Sequence, residues 1–404
     1  MSTKHVLSVE EAIAMLLDTV KAPDRHVTLP LLDGLGRVLA EDIAAVTDQP
    51  PFDRSPLDGY AVSHNDIASA SEKTPVALRV AQTIYAGDFP AAPLFTGEAA
   101  RIMTGAPLPD GATCVIRQED TARSGETVHI HTPLCKHENY CFRGEDVARG
   151  QPLLCKGERL NSASMGILAG QGRNFVRVYP QPTVYILPTG NELLAAGMPP
   201  QPGKIFDSNY YTLSARAMEL GAQVAPSINL DDDPDILAAA LTDYRPDCQL
   251  IVTTGGVSVG EHDYMPQVGE TIGANVLFHG IAAKPGGPAL AMEKDSVLIL
   301  SLSGNPFAAF ATFELLAVPA LRKISGETAI MPRYAKGRMA EHFSKPSKGR
   351  RFLRACIEDG NVFFPGKGHA SGILSSLAGC NCLIDIPAGT SPLERGMEVK
   401  VILM

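Results

Sequence analysis

Acidic side chains recur where short apolar runs end, often beside glycine. Glu192 follows Thr183-Val-Tyr-Ile-Leu-Pro and Thr189-Gly190. Asp231-Asp232-Asp233-Pro234 follows the run from Val224 to Leu230. Asp263 closes Gly255-Gly256-Val257-Ser258-Val259-Gly260-Glu261-His262, itself preceded by Cys248-Gln-Leu-Ile-Val-Thr-Thr. Carboxylates that converge on one cleft suit a hard divalent cation such as Mg²⁺, which takes few protein ligands and leaves room for phosphate oxygens. Taken singly each acid has an ordinary explanation; for Asp-Asp-Pro it is a helix N-cap. Glu192 and Asp263 together, each next to a glycine loop after an apolar strand, favour function. Glycines at Gly255, Gly256 and Gly260 let backbone N–H groups close on a phosphate or other oxyanion. A glycine-rich turn alone is weak evidence, since many loops need its backbone freedom; the preceding strand and Asp263-Tyr264 strengthen it.

Other groups are weaker alone. Lys284-Pro285-Gly286-Gly287-Pro288 carries one cation on a tight turn; by spacing a plain turn is slightly the better reading, and an anion clamp with lysine as a point charge is the functional one. Ser303-Gly304-Asn305-Pro306 follows the run that starts at Ser296. Asp58-Gly59 and Thr104-Gly105 could each be no more than a hairpin turn, and physics alone does not call either functional. The ten histidines make no HxxxH or HExxH, and neither a GxSxG elbow nor a P-loop is present, so hydrolase and NTPase readings have no motif behind them. Eight cysteines without a CxxC pair argue against zinc.

The elements that would position these groups can be read from periodicity. Ser8-x-x-Glu11 is a capping box before an amphipathic run to Val20. From about 57 to 145 the chain is rich in Gly, Pro, Thr and Val with short apolar runs such as Thr113–Arg117 and Thr127–His131, a β-rich region. A connector over 151–180 includes a helix from Ser162. Over 182–325 strand, loop and helix alternate, which predicts an α/β domain with a mostly parallel sheet whose ligands bind at the carboxyl ends of the strands; Ser208–Leu220 reads as a helix that Gly221 terminates. From about 331 strands return and predict a small terminal β-barrel. The length of 404 residues predicts two to four domains, and 45% apolar residues suffice for large cores. A net charge of -9 argues against broad nucleic-acid or anionic-membrane binding. No apolar run reaches the roughly 18 residues of a membrane span, and the first residues lack a signal-peptide core, so a cytoplasmic location is expected.

In chain order the motifs resemble the MoeA / gephyrin E-domain family of molybdopterin molybdenumtransferases. The matching pieces are Ser55-x-x-Asp58-Gly59-Tyr60-Ala61, Arg101-Ile-Met-Thr104-Gly-Ala-Pro, Arg143-Gly-Glu-Asp146, Thr189-Gly-Asn-Glu192-Leu, Phe206-Asp207-Ser208-Asn209, Asp232-Asp233-Pro234, Gly255 to Tyr264, Lys284-Pro-Gly, Gly304-Asn305-Pro306 and His369-x-Ser371. They span nearly the whole chain and are jointly specific.

The resemblance implies a multidomain α/β plus β fold. Its parts would be a MogA/MoaB-like α/β molybdopterin-binding domain (1–26 and 180–330), a linking subdomain (27–50 and 150–179), a β-rich lobe (51–149) and a C-terminal β-barrel (331–404). It implies a homodimer whose site lies between the α/β domain of one subunit and the β-rich lobe of the other. The implied reaction inserts molybdate into adenylylated molybdopterin, with Mg²⁺-dependent release of AMP. Asp58, Thr104, Asp146, Glu192 and Asp263 would be catalytic, and Glu192, Asp232 and Asp263 would hold Mg²⁺. Asp207, Ser208, Asn209, Gly255, Gly256, Ser258, Gly260, Lys284, Gly304, Asn305, Pro306, Arg350 and Ser371 would bind the pterin substrate and oxyanion. Transient contact with the adenylyltransferase or recipient molybdoenzymes is implied as well.

Departures concern charge. Gly280 and Gly287 stand where the family often has lysine, which predicts weaker anion binding unless Arg117, Lys204, Arg350 or Arg351 compensates. The missing cations keep two other readings open: a non-catalytic molybdopterin-binding scaffold, and a tungstate-selective relative.

Overall fold

The computed structural model describes residues 6–226, 229–244, 246–257, 264–366 and 368–404. They divide into two compact units, one over Met1–Glu41, Lys156–Met165 and Asn174–Met404, the other over Asp42–Cys155 and Gly166–Arg173.

In the first unit, the helix Val9–Thr19 starts at the expected capping box. Ser8 Oγ accepts the Glu11 N–H at 3.2 Å, and the Glu11 carboxylate accepts the Ser8 N–H at 2.8 Å. Val9, Ala12, Ile13 and Leu16 are buried along one face, the spacing that makes a helix amphipathic. The central sheet has three long parallel strands, Thr183–Pro188, Cys248–Thr254 and Val297–Leu302. Their side chains alternate between two cores. Val184, Ile186, Leu250, Val252, Leu298 and Leu300 face one, while Leu187, Ile251 and Ile299 face the other. Apolar residues on both faces are what a helix-covered parallel sheet requires.

The sheet edges differ from the reading by pattern. Leu290–Lys294 and Asn275–His279 add two antiparallel strands at one edge. At the other, among the described residues of the run expected from Val224 to Leu230, strand pairing covers Gln223–Val224, and Leu230 makes an isolated bridge to Thr189. Pro226, just past that pairing, has no N–H to give a ladder.

Helix Asn209–Glu219 is followed by Gly221 at φ +82°, whose N–H bonds Met218 O at 2.9 Å, the expected terminator. The closed barrel runs Arg333–Met339, Asn361–Phe363, Arg351–Glu358, Cys382–Ile386, Glu398–Leu403 in spatial order. Leu353, Ala355, Ile384 and Val401 fill its interior. Phe352, Leu383 and Ile402, on the opposite side of the same strands, join the α/β core.

The second unit is built on a six-stranded sheet ordered Cys114–Arg117, Gly59–Val62, Glu98–Ile102, Val76–Ile84, Thr127–Ile130, Thr121–Ser124. Gly59–Val62 is buried throughout, with Tyr60 and Val62 in one core and Ala61 in another. That places Asp58, the residue before this strand, at the sheet's rim. Among the described residues no helix is long and apolar enough to cross a membrane.

Candidate active site

The carboxyl ends of the parallel strands carry the loops that the sequence singled out, and backbone bonds knit them together. Thr189 N–H bonds Thr254 O at 2.9 Å, Gly190 N–H bonds Leu230 O at 3.1 Å, and Gly255 N–H bonds Leu302 O at 3.0 Å. Thr189–Glu192, Leu230–Asp232, Gly255–Gly256 and Gly304–Asn305 therefore share one sheet edge. Asn191 Oδ1 accepts the Asp232 N–H at 3.2 Å, so the Glu192 and Asp232 loops are adjacent. Asp233, not Asp232, is the N-cap of Pro234–Ala240: its Oδ1 accepts the N–H groups of Asp235 and Ile236. The capping explanation for the acidic run is thus taken up by Asp233. Lys204 Nζ donates to Asn191 O and brings a cation to the same loop.

Gly255 is held at φ +107°, and a Cβ there would lie 2.5 Å from Thr189 O. Only glycine permits this close approach of two strand-end loops. Asp263, Ser258 and Gly260 lie outside the described residues. Among the described residues no group of three His, Cys, Asp or Glu side chains is placed to hold a metal ion. Glu192 and Asp232, on neighbouring loops, offer only oxygen donors, the donor type that fits Mg²⁺.

Behind this edge, Asp207 is buried, and burial raises its carboxyl above the usual range although the Tyr210 and Asn209 N–H groups bond it. Ser208 occupies the N-cap position of Asn209–Glu219 but makes no side-chain cap; Asp207 Oδ1 accepts the Tyr210 N–H at 3.1 Å instead. Asn209 Nδ2 donates to Gly304 O at 2.8 Å and ties that helix to the Gly304-Asn305-Pro306 turn. Asn305 is the N-cap of Pro306–Thr312, with Pro306 in the first turn, where its missing N–H costs nothing.

A cavity of about 570 Å³ opens on the barrel side of the α/β domain. Lys284, Lys345 and Arg351 line it together with Asn305, His369 and Ser371. It is rich in cations, and among the described residues no Asp or Glu lines it. His369 is held below its ordinary value by burial first, then by the charges of Arg354 and Lys345. The same positive charges that disfavour a proton on His369 attract an anionic guest. Ser371 O accepts the Phe307 N–H at 2.9 Å, which fastens the His369–Ser371 loop to the Pro306–Thr312 helix.

Arg350 is placed otherwise. Its Nε and Nη2 bind both oxygens of Asp385 at 2.8 Å, and Nη1 reaches Glu10 at 2.6 Å. It lines a separate cavity of about 860 Å³ with Asp385 and Lys400. Arg351, its neighbour on the strand, faces the cationic cavity.

In the β-rich unit, Asp58 and Thr104 meet. Asp58 Oδ1 accepts both the backbone N–H and the Oγ1 hydroxyl of Thr104, each at 2.7 Å. These bonds, with the charge of Arg101, hold the Asp58 carboxyl below the usual range. Both residues are exposed at the rim. Asp146 is exposed on a loop anchored by its own N–H to Gln49 O at 3.0 Å, with Arg143 of the same motif bound to Asp48 and Asp53. Arg117 pairs with Gly59 across the sheet, near Asp58.

Sequence reasoning missed Lys345 and left Arg351 as one of several compensating cations. Neither carries a motif: Lys345 sits in a polar stretch, and Arg350, just before the strand Arg351–Glu358, and Arg351, its first residue, look alike until the fold sends them to different cavities.

Comparison with known proteins agrees with this architecture throughout. Residues 7–172 match the MoeA N-terminal region (domain I and II), 185–323 match a probable molybdopterin binding domain, and 336–404 match the MoeA C-terminal region (domain IV). The chain is 35% identical over 404 residues to a molybdopterin molybdenumtransferase of Staphylococcus epidermidis, covering 98% of this chain and 95% of that one. It is 34% identical over 403 residues to one of Staphylococcus aureus, covering 99% and 96%. A crystal structure of the molybdopterin biosynthesis MoeA protein from Pyrococcus horikoshii superposes with a TM-score of 0.85 at 31% identity, covering 99% and 100%. The fold and strand-end site define a multidomain protein assembled around a molybdopterin-binding-type α/β domain. The chain belongs to the MoeA, or molybdopterin molybdenumtransferase, family; it is a transferase with a role in molybdenum-cofactor biosynthesis.

Proposed function

We propose that this protein inserts molybdate into adenylylated molybdopterin with Mg²⁺-dependent release of AMP. The observation that carries the reading is the meeting of the Glu192, Asp232, Gly255 and Gly304 loops at one sheet edge of the molybdopterin-binding domain. Glu192 and Asp232, with Asp263, are the residues that would hold Mg²⁺. Bound there, the ion supplies Lewis acidity toward phosphoryl oxygens. Gly255 and Gly256, with Ser258 and Gly260, present backbone to the phosphates, and Asp207, Ser208 and Asn209 orient the substrate from the adjoining helix start. Lys284, Arg351 and Ser371 attract and place the oxyanion. The dithiolene sulfurs of the substrate are the nucleophiles toward molybdate, whose displaced oxygens leave as water, and water cleaves the phosphoanhydride to release AMP, so the protein contributes position and charge rather than a covalent intermediate.

In this reading Asp58, Thr104 and Asp146 complete the site from the β-rich lobe of a second copy, in a cytoplasmic homodimer. Arg350 acts indirectly, through Asp385 and Glu10. The same reading divides the chain into the four subdomains given above. Product passes to recipient molybdoenzymes, and substrate comes from the adenylyltransferase, through transient contacts.

A scaffold without catalysis is favoured by Gly280 and Gly287, where cations are missing. Lys345 and Arg351 beside Lys284 answer that loss and favour the enzyme.

AMP release from adenylylated molybdopterin, with Mg²⁺ and molybdate, tests the reading directly. Glu192→Gln and Asp232→Asn are expected to need more Mg²⁺ for half-maximal release and to lose about 10²-fold or more at fixed Mg²⁺, with unchanged melting temperature. Asp58→Asn and Asp263→Asn are expected to remain folded and inactive. Tight pterin binding by the wild type without any AMP release would instead favour the scaffold, and competition with tungstate decides the preferred oxyanion.

A further inference from the structure

One wall of the cationic cavity rests on a side chain that no motif marked. Arg354, on the strand Arg351–Glu358, is 1% exposed. Its guanidinium carbon lies 4.1 Å from the centroid of the Phe307 ring, the stacked geometry of a cation on an aromatic face. Its Nη2 donates to Gly368 O at 3.2 Å and to Ala370 O at 3.1 Å. Phe307, His369, Ala370 and Ser371 all line the cavity. One buried group therefore grips both walls: the helix that begins at Asn305-Pro306 and the loop that ends in Ser371. Nε and Nη1 have no hydrogen-bond partner among the described residues. Burying a cation without a carboxylate partner is costly, and here two carbonyls and an aromatic face offset only part of that cost.

We infer that Arg354 is a positioning residue for the oxyanion: it sets the His369–Ser371 loop against Phe307 and adds uncompensated positive charge behind the cavity wall. It does not touch the substrate. This rests on the molybdate-insertion reading above. It separates two effects that a packing role would merge. Loss of the charge weakens capture of the anion, while the reacting groups at Glu192 and Asp232 stay in place.

The test uses the full-length protein with adenylylated molybdopterin and Mg²⁺, measuring AMP release against molybdate concentration, with calorimetric binding of molybdate alone as a second readout. Arg354→Gln is expected to raise half-saturating molybdate about tenfold or more and to lower turnover at saturation far less. Arg354→Lys keeps the charge but not the planar stack, so it recovers part of that affinity. Equal losses in turnover at every molybdate concentration, with half-saturation unchanged, would mean a structural role and overturn the inference. If Arg354→Gln does not fold, Arg354→Lys and Phe307→Leu decide it: both are expected to raise half-saturation, and wild-type values in both overturn it. A wild type that neither binds molybdate nor releases AMP overturns the activity reading itself, and the inference with it.

Discussion

Asp58 and Thr104, 46 residues apart, are joined twice through a single oxygen: Asp58 Oδ1 accepts the Thr104 backbone N–H and its hydroxyl, each at 2.7 Å. The sheet makes this possible. Gly59 pairs with Ile102, so the residues just outside the two strands, Asp58 and Met103-Thr104, emerge together at the rim. Two bonds to the charged form favour ionisation, and Arg101 adds to them, so Asp58 stays a carboxylate at lower pH than a free aspartate.

Thr104→Val removes the hydroxyl and keeps the branched Cβ. The Asp58 carboxyl is then expected to rise toward its ordinary value. Because the folded-state value is depressed, the ionised form is normally present above the usual aspartate range and lost only as pH falls through the lowered value. The variant should lose it sooner on acidification, so the acid limb of the AMP-release profile moves to higher pH. Side-chain carboxyl NMR against pH reads the same shift. An unmoved acid limb together with an unmoved carboxyl resonance would show that the hydroxyl does not tune Asp58.

Arg216 and Glu314 form a buried pair. Arg216 Nε meets Glu314 Oε1 at 2.5 Å and Nη2 meets Oε2 at 3.2 Å, while Glu314 is 4% exposed. The pair clamps the helix Asn209–Glu219 to the segment Phe313–Ala317. Arg216 keeps Glu219 as a second partner at 2.9 Å, whereas Arg216→Ala strands the buried Glu314 carboxylate and is expected to destabilise the unit by about 3–5 kcal/mol. Replacing both partners with apolar residues should cost far less. Urea unfolding of the single and double variants distinguishes these; equal losses would contradict the account.

Gly255→Ala tests the close approach of the strand-end loops. The residue would be held at a positive φ with its Cβ 2.5 Å from Thr189 O, so something must move. A stability loss of about 1–3 kcal/mol is expected. A larger relative loss of AMP release should accompany it, since the displaced loops are those of Glu192 and Asp232. A variant with wild-type Mg²⁺ dependence and wild-type melting temperature would mean that the approach is not needed.

Much of the architecture follows from local pattern. The capping box at Ser8 and Glu11, the terminator at Gly221, the three parallel strands and the barrel strands are each set by neighbours within a few residues, and so are readable in one dimension. The strand-end loops are legible for the same reason: an apolar run that stops at Gly-Asn-Glu or Gly-Gly announces its own edge. The shortfall is equally local in one place. Within the run expected to reach Leu230, Pro226 withholds an N–H that the apolar pattern does not register.

What the sequence determined by itself was therefore the family, the order of elements and the acids at the strand ends. Only the tertiary structure decided which charges share a cavity. Arg350 and Arg351 are adjacent in sequence, yet one is spent on Asp385 and Glu10 and the other faces Lys284 and Lys345. Glu10 lies 340 residues from Arg350. No local pattern carries that distance, because ion pairing depends on where folded elements meet and not on the residues that neighbour them along the chain.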